Sequence, residues 1–329
     1  MAGFKDVAGH EQIIEHLQNL IVNQKVGHAY IFCGEDGTGK NMLASLFAKA
    51  LECEAGGSDS CGTCRSCRQA ESGNHPDIRY VTHAKSASIG VDEIREQVNE
   101  DIVIKPYSSK YKIYIIDEAE KMTPQAQNAL LKTIEEPPSY AVIMLLTNSA
   151  QALLPTIRSR CVMLNMKPVP TEQIQDYLIQ KYQIPEYQAR VCASYSQGNM
   201  GKAIKMATSP DFTQFHESVL HLVKNLDDMD LYVIIDAIKK LSENKMDIYD
   251  VIDMMMVWYR DVMILKLTND PNLLVYPEEY SALSKEASKS TYEGLEQIIK
   301  AMEKAKVRLK ANVNFDIALE MMLLTIKEN

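Results

Sequence analysis

Apolar runs and helical stripes alternate along the first half of the chain, and helical stripes alone fill the second. Residues 11–26 place Ile13, Ile14, Leu17, Leu20 and Ile21 on one face of a helix. An apolar run at 28–33 follows, and residues 41–51 resume the helical period with Leu43, Leu46, Phe47 and Ala50 inward. Residues 78–81 predict a short strand, and 91–102 carry Val91, Ile94, Val98 and Ile102 in helical register. Lys112–Ile116 predicts a strand that ends in Asp117-Glu118. Thr123 then reads as the cap of a helix whose first residue is Pro124, a position where a missing N–H costs nothing. That helix stops at Glu135-Glu136-Pro137-Pro138, and apolar runs at 141–146 and 161–164 complete the strands.

Apolar strands separated by helices predict a parallel sheet covered on both faces, an α/β domain. Ligands in such folds sit at the carboxyl ends of the strands. Gly34, Asp117-Glu118 and Asn148 all fall at such ends. After Lys167-Pro168-Val169-Pro170 the strand signal stops, and residues 171–182, 185–196 and 200–207 predict three short helices. Ser209-Pro210 marks another boundary, beyond which helices are expected near 213–225, 228–242, 247–267, 278–287 and 291–327. The expected plan is an α/β domain over 1–167, a small helical domain over 168–208 and a second helical domain over 209–329.

The net charge of −9 argues against tight autonomous binding to nucleic acid, because neutralising phosphates takes a basic surface. It does not bar a share in a larger DNA-binding assembly. No basic-then-apolar leader opens the chain, and no apolar run approaches a membrane span, so a cytoplasmic protein without membrane contact is expected. In that setting the seven cysteines favour metal binding over disulfides.

Gly34-Glu35-Asp36-Gly37-Thr38-Gly39-Lys40-Asn41 follows a strand and opens a helix, the context of a phosphate-binding P-loop. The glycines let backbone N–H groups close around phosphates, and the lysine reaches the terminal phosphates. The motif ends in Ser or Thr, whose hydroxyl ligates Mg²⁺; here Asn41 stands there, a bulkier group that need not meet octahedral geometry. Asp117-Glu118, after an apolar strand, matches the Walker B pair, in which the aspartate lies near Mg²⁺ and the glutamate orients water. Alone, that pair reads equally well as solvated acids at a strand end.

Cys53, Cys61, Cys64 and Cys67, spaced around Gly56-Gly57 and Gly62, suit a closed tetrahedral Zn²⁺ site. Cys33, Cys161 and Cys192 are isolated and read as packing residues. Arg158 and Arg160, in Thr156-Ile157-Arg158-Ser159-Arg160-Cys161, would alone read as surface charges. Lys105-Pro106-Tyr107-Ser108-Ser109-Lys110-Tyr111-Lys112 reads as a solvated basic loop sooner than a DNA contact. Met254, Met255, Trp258, Val262 and Leu265 lie at helical spacing, and packing is the better reading than a ligand groove.

Taken in order, these elements resemble the AAA+ clamp-loader family over roughly the first 205 residues, a usual size for such folds. His28-Ala29-Tyr30-Ile31-Phe32, the four cysteines, Asn128-Ala129-Leu130-Leu131-Lys132-Thr133-Ile134-Glu135-Glu136-Pro137-Pro138 and Ser159-Arg160-Cys161 carry the resemblance. It implies that Arg160 is an arginine finger reaching into a neighbouring subunit's ATP site, that residues 168–208 form a lid, and that 209–329 form a collar. Loaders of this family combine tau/gamma ATPase subunits, a delta subunit that opens the clamp and a subunit without ATPase activity.

Two departures align this chain with the last. Asn41 replaces the hydroxyl, and Gly201 in Gly198-Asn199-Met200-Gly201-Lys202 stands where the ATPase subunits carry a sensor arginine. Lys202 is adjacent but points about 100° away on a helix. The resemblance thus implies tau/gamma and delta partners, with the sliding clamp and primed DNA engaged through the assembly. The degenerate nucleotide set would be Gly34, Gly37, Thr38, Gly39, Lys40, Asn41, Asp117, Glu118 and Asn148. Because Asp117-Glu118 is intact, binding of ATP and Mg²⁺ without turnover stays open, as does the alternative of a short tau/gamma-like ATPase.

Overall fold

The computed structural model describes residues 3–82, 87–243 and 248–329. Two compact units divide them: Met1–Ile174 with Gly198–Lys202, and Gln175–Gln197 with Ala203–Asn329.

The first unit is built on a parallel sheet of β1 (Ala29–Cys33), β2 (Ile78–Tyr80), β3 (Lys112–Ile116), β4 (Ala141–Thr147) and β5 (Val162–Asn165). The strand order is β2-β3-β4-β1-β5, so the α/β expectation holds. Every residue of β3 and β4 is buried, as strands covered on both faces must be. Alternate residues feed two cores. Tyr30, Phe32, Ile113, Ile115, Val142, Met144 and Leu146 pack with Leu43, Leu46 and Phe47 of α2 (Lys40–Leu51), and with Leu17 of α1 (Glu11–Val22). Ile31, Tyr114, Ile116, Ile143 and Leu145 pack on the other face, with Ile94, Val98, Leu130 and Ile134. The period of two thus sends each strand's side chains to both covering layers.

Helix boundaries follow local chemistry. Thr123 accepts the Ala126 N–H at 3.2 Å and Pro124 opens α3 (Pro124–Glu135), as the capping pattern requires. The expected helix at 91–102 is instead one α turn, Val91–Ile94, followed by a wider π turn over Arg95–Asn99, with Ile94, Val98 and Ile102 still buried. The loop expected to be solvated and basic is only partly so. Lys112 is buried, its Nζ donating to the carbonyls of Asp101 (2.6 Å) and Ile104 (3.1 Å) and pairing with the Asp101 carboxylate. Asp77 gathers the rest, accepting the N–H groups of Tyr107 and Ser108 at 2.6 and 2.9 Å.

The second unit is helical throughout its described residues. Ile248–Thr268 is its centre, and Met254, Met255, Trp258, Val262 and Leu265 are all buried, so that stripe is core packing. Its buried Asp261 accepts the N–H groups of Val275 and Tyr276 at 2.7 and 2.9 Å, tying a loop to the helix. The expected start of this helix at 247 lies outside the described residues. The helix expected over 291–327 is two, Tyr292–Lys310 and Phe315–Glu328. Asn312 takes a left-handed backbone (φ 57°) between them, and Asn314 caps the second by accepting the Ile317 N–H. No helix among the described residues is long and apolar enough to cross a membrane.

Candidate functional site

The carboxyl ends of β1, β3 and β4 are neighbours in the sheet, and they bring Gly34, Asp117 and Asn148 to one edge. Gly37 and Gly39 have φ of 83° and 95°, the left-handed values that let the loop fold back on itself. Lys40 opens α2, and only 7% of it is exposed. Its ammonium donates to Asn148 Oδ1 (2.6 Å) and to the carbonyls of Gly34 (2.5 Å) and Glu35 (3.0 Å), with Asp36 Oδ1 at 3.5 Å. An ammonium has three N–H groups, and three strong acceptors hold them all. The lysine is folded back onto its own loop.

Asn41 joins the start of α2 to the residue after β3. Its Nδ2 donates to Asp117 Oδ2 at 3.2 Å, while its Oδ1 accepts from Ser45 Oγ at 3.2 Å. Asp117 therefore faces an amide N–H, and the Asn41 amide oxygen is engaged by Ser45. Glu118 sits at φ 49°, uncommon for a residue with a side chain, and its carboxylate pairs with Lys121 at 2.7 Å. Thr38 Oγ1 turns back to the Glu35 carbonyl at 2.7 Å.

Two contacts from outside the motif complete this edge. His10 Nε2 lies 3.0 Å from the Thr38 carbonyl; a carbonyl only accepts, so Nε2 carries the proton. Burial pushes the His10 pKa down, against the pull of that same carbonyl. The segment Gly198–Lys202 also reaches the loop, with Asn199 Nδ2 donating to the Asp36 carbonyl (2.6 Å) and Gly201 N–H to the Gly37 carbonyl (2.8 Å).

Arg160 stands at a different corner, just past a short helix, Pro155–Arg158. Its Nη2 pairs with Glu135 Oε1 at 3.0 Å, and its Nη1 donates to the Thr156 carbonyl at 3.1 Å and Ser159 Oγ at 3.3 Å. Both partners of the ion pair stay about two-fifths exposed (41% and 40%). Glu135 ends α3, so the two most family-like stretches of the sequence meet in this one contact.

The four cysteines also converge. All the sulfurs of Cys53, Cys61, Cys64 and Cys67 lie within 4.8 Å of one another, so the cluster could hold a metal ion. Backbone N–H groups face them: Cys61 N donates to Cys53 Sγ, Cys64 N to Cys61 Sγ and Cys67 N to Cys64 Sγ, at 3.3, 3.4 and 3.3 Å. Such N–H groups favour thiolates, and those of Cys64 and Thr63 bring the Cys61 thiol down to about 6. Burial raises Cys67, the inner member, whose charge would need a cation beside it. Asp59 anchors the loop by accepting the Phe4 N–H at 3.0 Å. Burial also pushes Cys161 and Cys192 up to about 12, which suits packing residues and not nucleophiles.

All the nucleotide-loop residues read from the sequence meet at one edge, and the four cysteines meet in one cluster. His10, Asn199 and Glu135 were not foreseen in these roles. The first two join the loop through tertiary contacts, and Glu135 lies within a stretch already singled out for other reasons.

A family described as DNA polymerase III, delta subunit, matches residues 9–170, and its C-terminal counterpart matches residues 214–328. The DNA polymerase III subunit delta' of Bacillus subtilis (strain 168) is 32% identical over 320 residues, covering 96% of each chain. The subunit tau of the same organism is 29% identical over 344 residues; the match takes in 96% of this chain and 60% of tau. A solved gamma subunit-related protein from Thermotoga maritima is 20% identical, with a TM-score of 0.42 over 96% of this chain and 98% of that one. On the full-length match to delta' and the two family models, the chain belongs to the DNA polymerase III delta-prime family.

Proposed function

We propose that the chain is a non-hydrolysing subunit of a DNA polymerase III clamp loader and lends Arg160 to the ATP site of a neighbouring ATPase subunit. Its partners are tau/gamma and delta subunits, and it meets the sliding clamp and primed DNA through the assembled complex. Residues 168–208 serve as the lid and 209–329 as the collar. The observation that carries this reading is Asn41, whose amide N–H faces Asp117 where a P-loop ATPase presents a hydroxyl to Mg²⁺. A cation drawn to Asp117 meets a donor there, and the loop's own lysine is already engaged. Arg160, half-exposed and flexible in its stem, suits a group that leaves its own subunit.

The test is phosphate release by the purified chain with MgATP, alone and beside its partner subunits. The chain alone should release none above background. Steady release that disappears in Lys40→Met would make it a tau/gamma-like motor, a reading the intact Asp117-Glu118 pair favours.

The cysteine cluster, on the same proposal, holds one structural Zn²⁺ and no catalytic water. Four sulfurs around zinc at ~2.3 Å lie about 3.8 Å apart. The Cys61–Cys67 pair, at 4.0 Å, needs little adjustment. Metal analysis should find one zinc per chain, and chelation or Cys64→Ser should leave residues 53–71 open to protease. A structural site of this kind contributes on the order of 10 kcal/mol to local order. Equal protease resistance with and without metal would remove zinc from the account.

A further inference from the structure

The P-loop of this chain is closed from outside as well as from within. Each carbonyl from Gly34 to Thr38 accepts a hydrogen bond, the first two from the loop's own Lys40 and the other three from outside it: Asp36 from Asn199, Gly37 from Gly201 and Thr38 from His10. The contact with Gly201 is at backbone distance. A Cβ placed on Gly201 would lie 2.7 Å from both Cα and O of Gly37, closer than a carbon atom can approach them. The fit is reciprocal, because a Cβ on Gly37 would lie 2.5 Å from Asn199 Oδ1. That same Oδ1 accepts the Lys202 N–H at 3.0 Å and so caps Met200–Ala207. Gly198, at φ 87°, lies against Pro168, and its carbonyl accepts the Val169 N–H at 2.9 Å, which fixes how the segment enters.

We propose that Gly198–Lys202 is a latch over the P-loop, that the bare α-carbon of Gly201 is what allows it to close, and that nucleoside triphosphate enters only by opening it. The missing side chain at 201 is then a device as well as a loss. With any side chain there, the segment must stand off from Gly37, and the carbonyls of Asp36 and Gly37 lose their donors. With none, two successive carbonyls of the loop are pinned to a turn and helix start more than 160 residues away in sequence, the Asn199–Asp36 separation being 163. A loop held this way cannot reshape around phosphates, since wrapping them takes freedom of its backbone. This deepens the reading of the loop as non-hydrolysing and rests on it for what nucleotide does there.

Hydrogen exchange by mass spectrometry on the intact chain, with MgATPγS titrated in parallel, tests the latch. Gly201→Ala, which forces the segment outward, and Asn199→Ala, which adds no bulk and deletes both the donor to Asp36 and the cap of Met200–Ala207, are the two variants. Both should raise exchange about tenfold in the peptides carrying residues 34–40 and 198–202 together, leaving β3 and β4 as they were. Both should also bind MgATPγS about tenfold more tightly than the parent chain, because opening no longer opposes binding. Unchanged exchange in both variants, or nucleotide affinity that ignores them, overturns the latch. Turnover is a separate readout. Phosphate release by the parent chain would end the non-hydrolysing reading even if both variants loosened the loop, and an open loop with no turnover would do the reverse.

Discussion

Two corners of the α/β unit hold a basic side chain in opposite ways. At the glycine loop, five successive carbonyls and the Lys40 ammonium are all engaged, and the lysine is 7% exposed. At Arg160 the guanidinium is 41% exposed, held by one carboxylate and by its own turn. Cation and acceptor count explain the contrast. Lysine's compact ammonium can be saturated by three oxygens, whereas the five N–H groups of an arginine outnumber the three acceptors at hand. On the proposed function the closed corner is framework and the open one a tool. An ATPase subunit would need its own loop free, so the proposed subunit type and a motor predict different behaviour at the closed corner.

The largest expected effect is at the open corner. Arg160→Ala should leave the melting of the free chain within about 0.5 kcal/mol, as expected for a half-exposed side chain. In a reconstituted assembly it should lower hydrolysis at the one interface it serves by about a thousandfold, with nucleotide binding there kept. The measurement is single-turnover hydrolysis with the other interfaces silenced. Normal turnover at that interface would remove Arg160 from the mechanism.

Next comes the closed corner, where the direction of the effect is itself diagnostic. In a working P-loop the lysine serves the ligand, so its loss weakens nucleotide binding and spares the fold. Here Lys40→Met removes the one donor shared by Asn148 Oδ1 and the carbonyls of Gly34 and Glu35, although Asn148 and Glu35 are exposed and water can take part of its place. Hydrogen bonds from a charged group contribute about 1.5–3 kcal/mol net, so a loss of about 2–3 kcal/mol is expected once water replaces the ammonium. For a unit of this size that is a drop of about 5–10 °C in melting temperature without any nucleotide present. A variant that melts with the parent, yet loses a nucleotide-dependent shift, would show the lysine still working for a ligand.

These contrasts also show what the chain discloses before it folds. The strand at Lys112–Ile116 and the helix at Pro124–Glu135 were legible to the residue, because an apolar run, a threonine cap and a proline at the first turn are local signals. The break between Lys110-type loop chemistry and packing was not. Lys112 looks basic and exposed in sequence, and only the fold sets Asp101 and two carbonyls around it. The turn at 311–314 was missed because no Gly or Pro marks it; Asn312 takes the left-handed backbone in a stretch that stays amphipathic. The P-loop residues were readable because a glycine-lysine motif is contiguous. The contact of Gly201 with Gly37 was not, since the absence of an arginine reads as loss until the space it vacates is seen to be filled.

The smallest effect bears on whether the open corner is truly open. Glu135 either holds the Arg160 guanidinium in readiness or competes with phosphate for it, and Glu135→Gln distinguishes the two by sign. As an exposed ion pair it is worth about 0–1 kcal/mol, so the melting of the free chain should barely move. We expect hydrolysis at the served interface to fall by about two- to fivefold, because a guanidinium without its carboxylate samples more rotamers before it reaches the neighbour. Raising salt should produce the same fall in the parent chain and little further change in Glu135→Gln, since mobile ions screen the pair the substitution removes. A merely structural carboxylate would alter melting and leave that salt dependence intact. Faster hydrolysis in Glu135→Gln would instead make the carboxylate a competitor, and the corner would then be closed in the free chain by a weak tie that assembly must break.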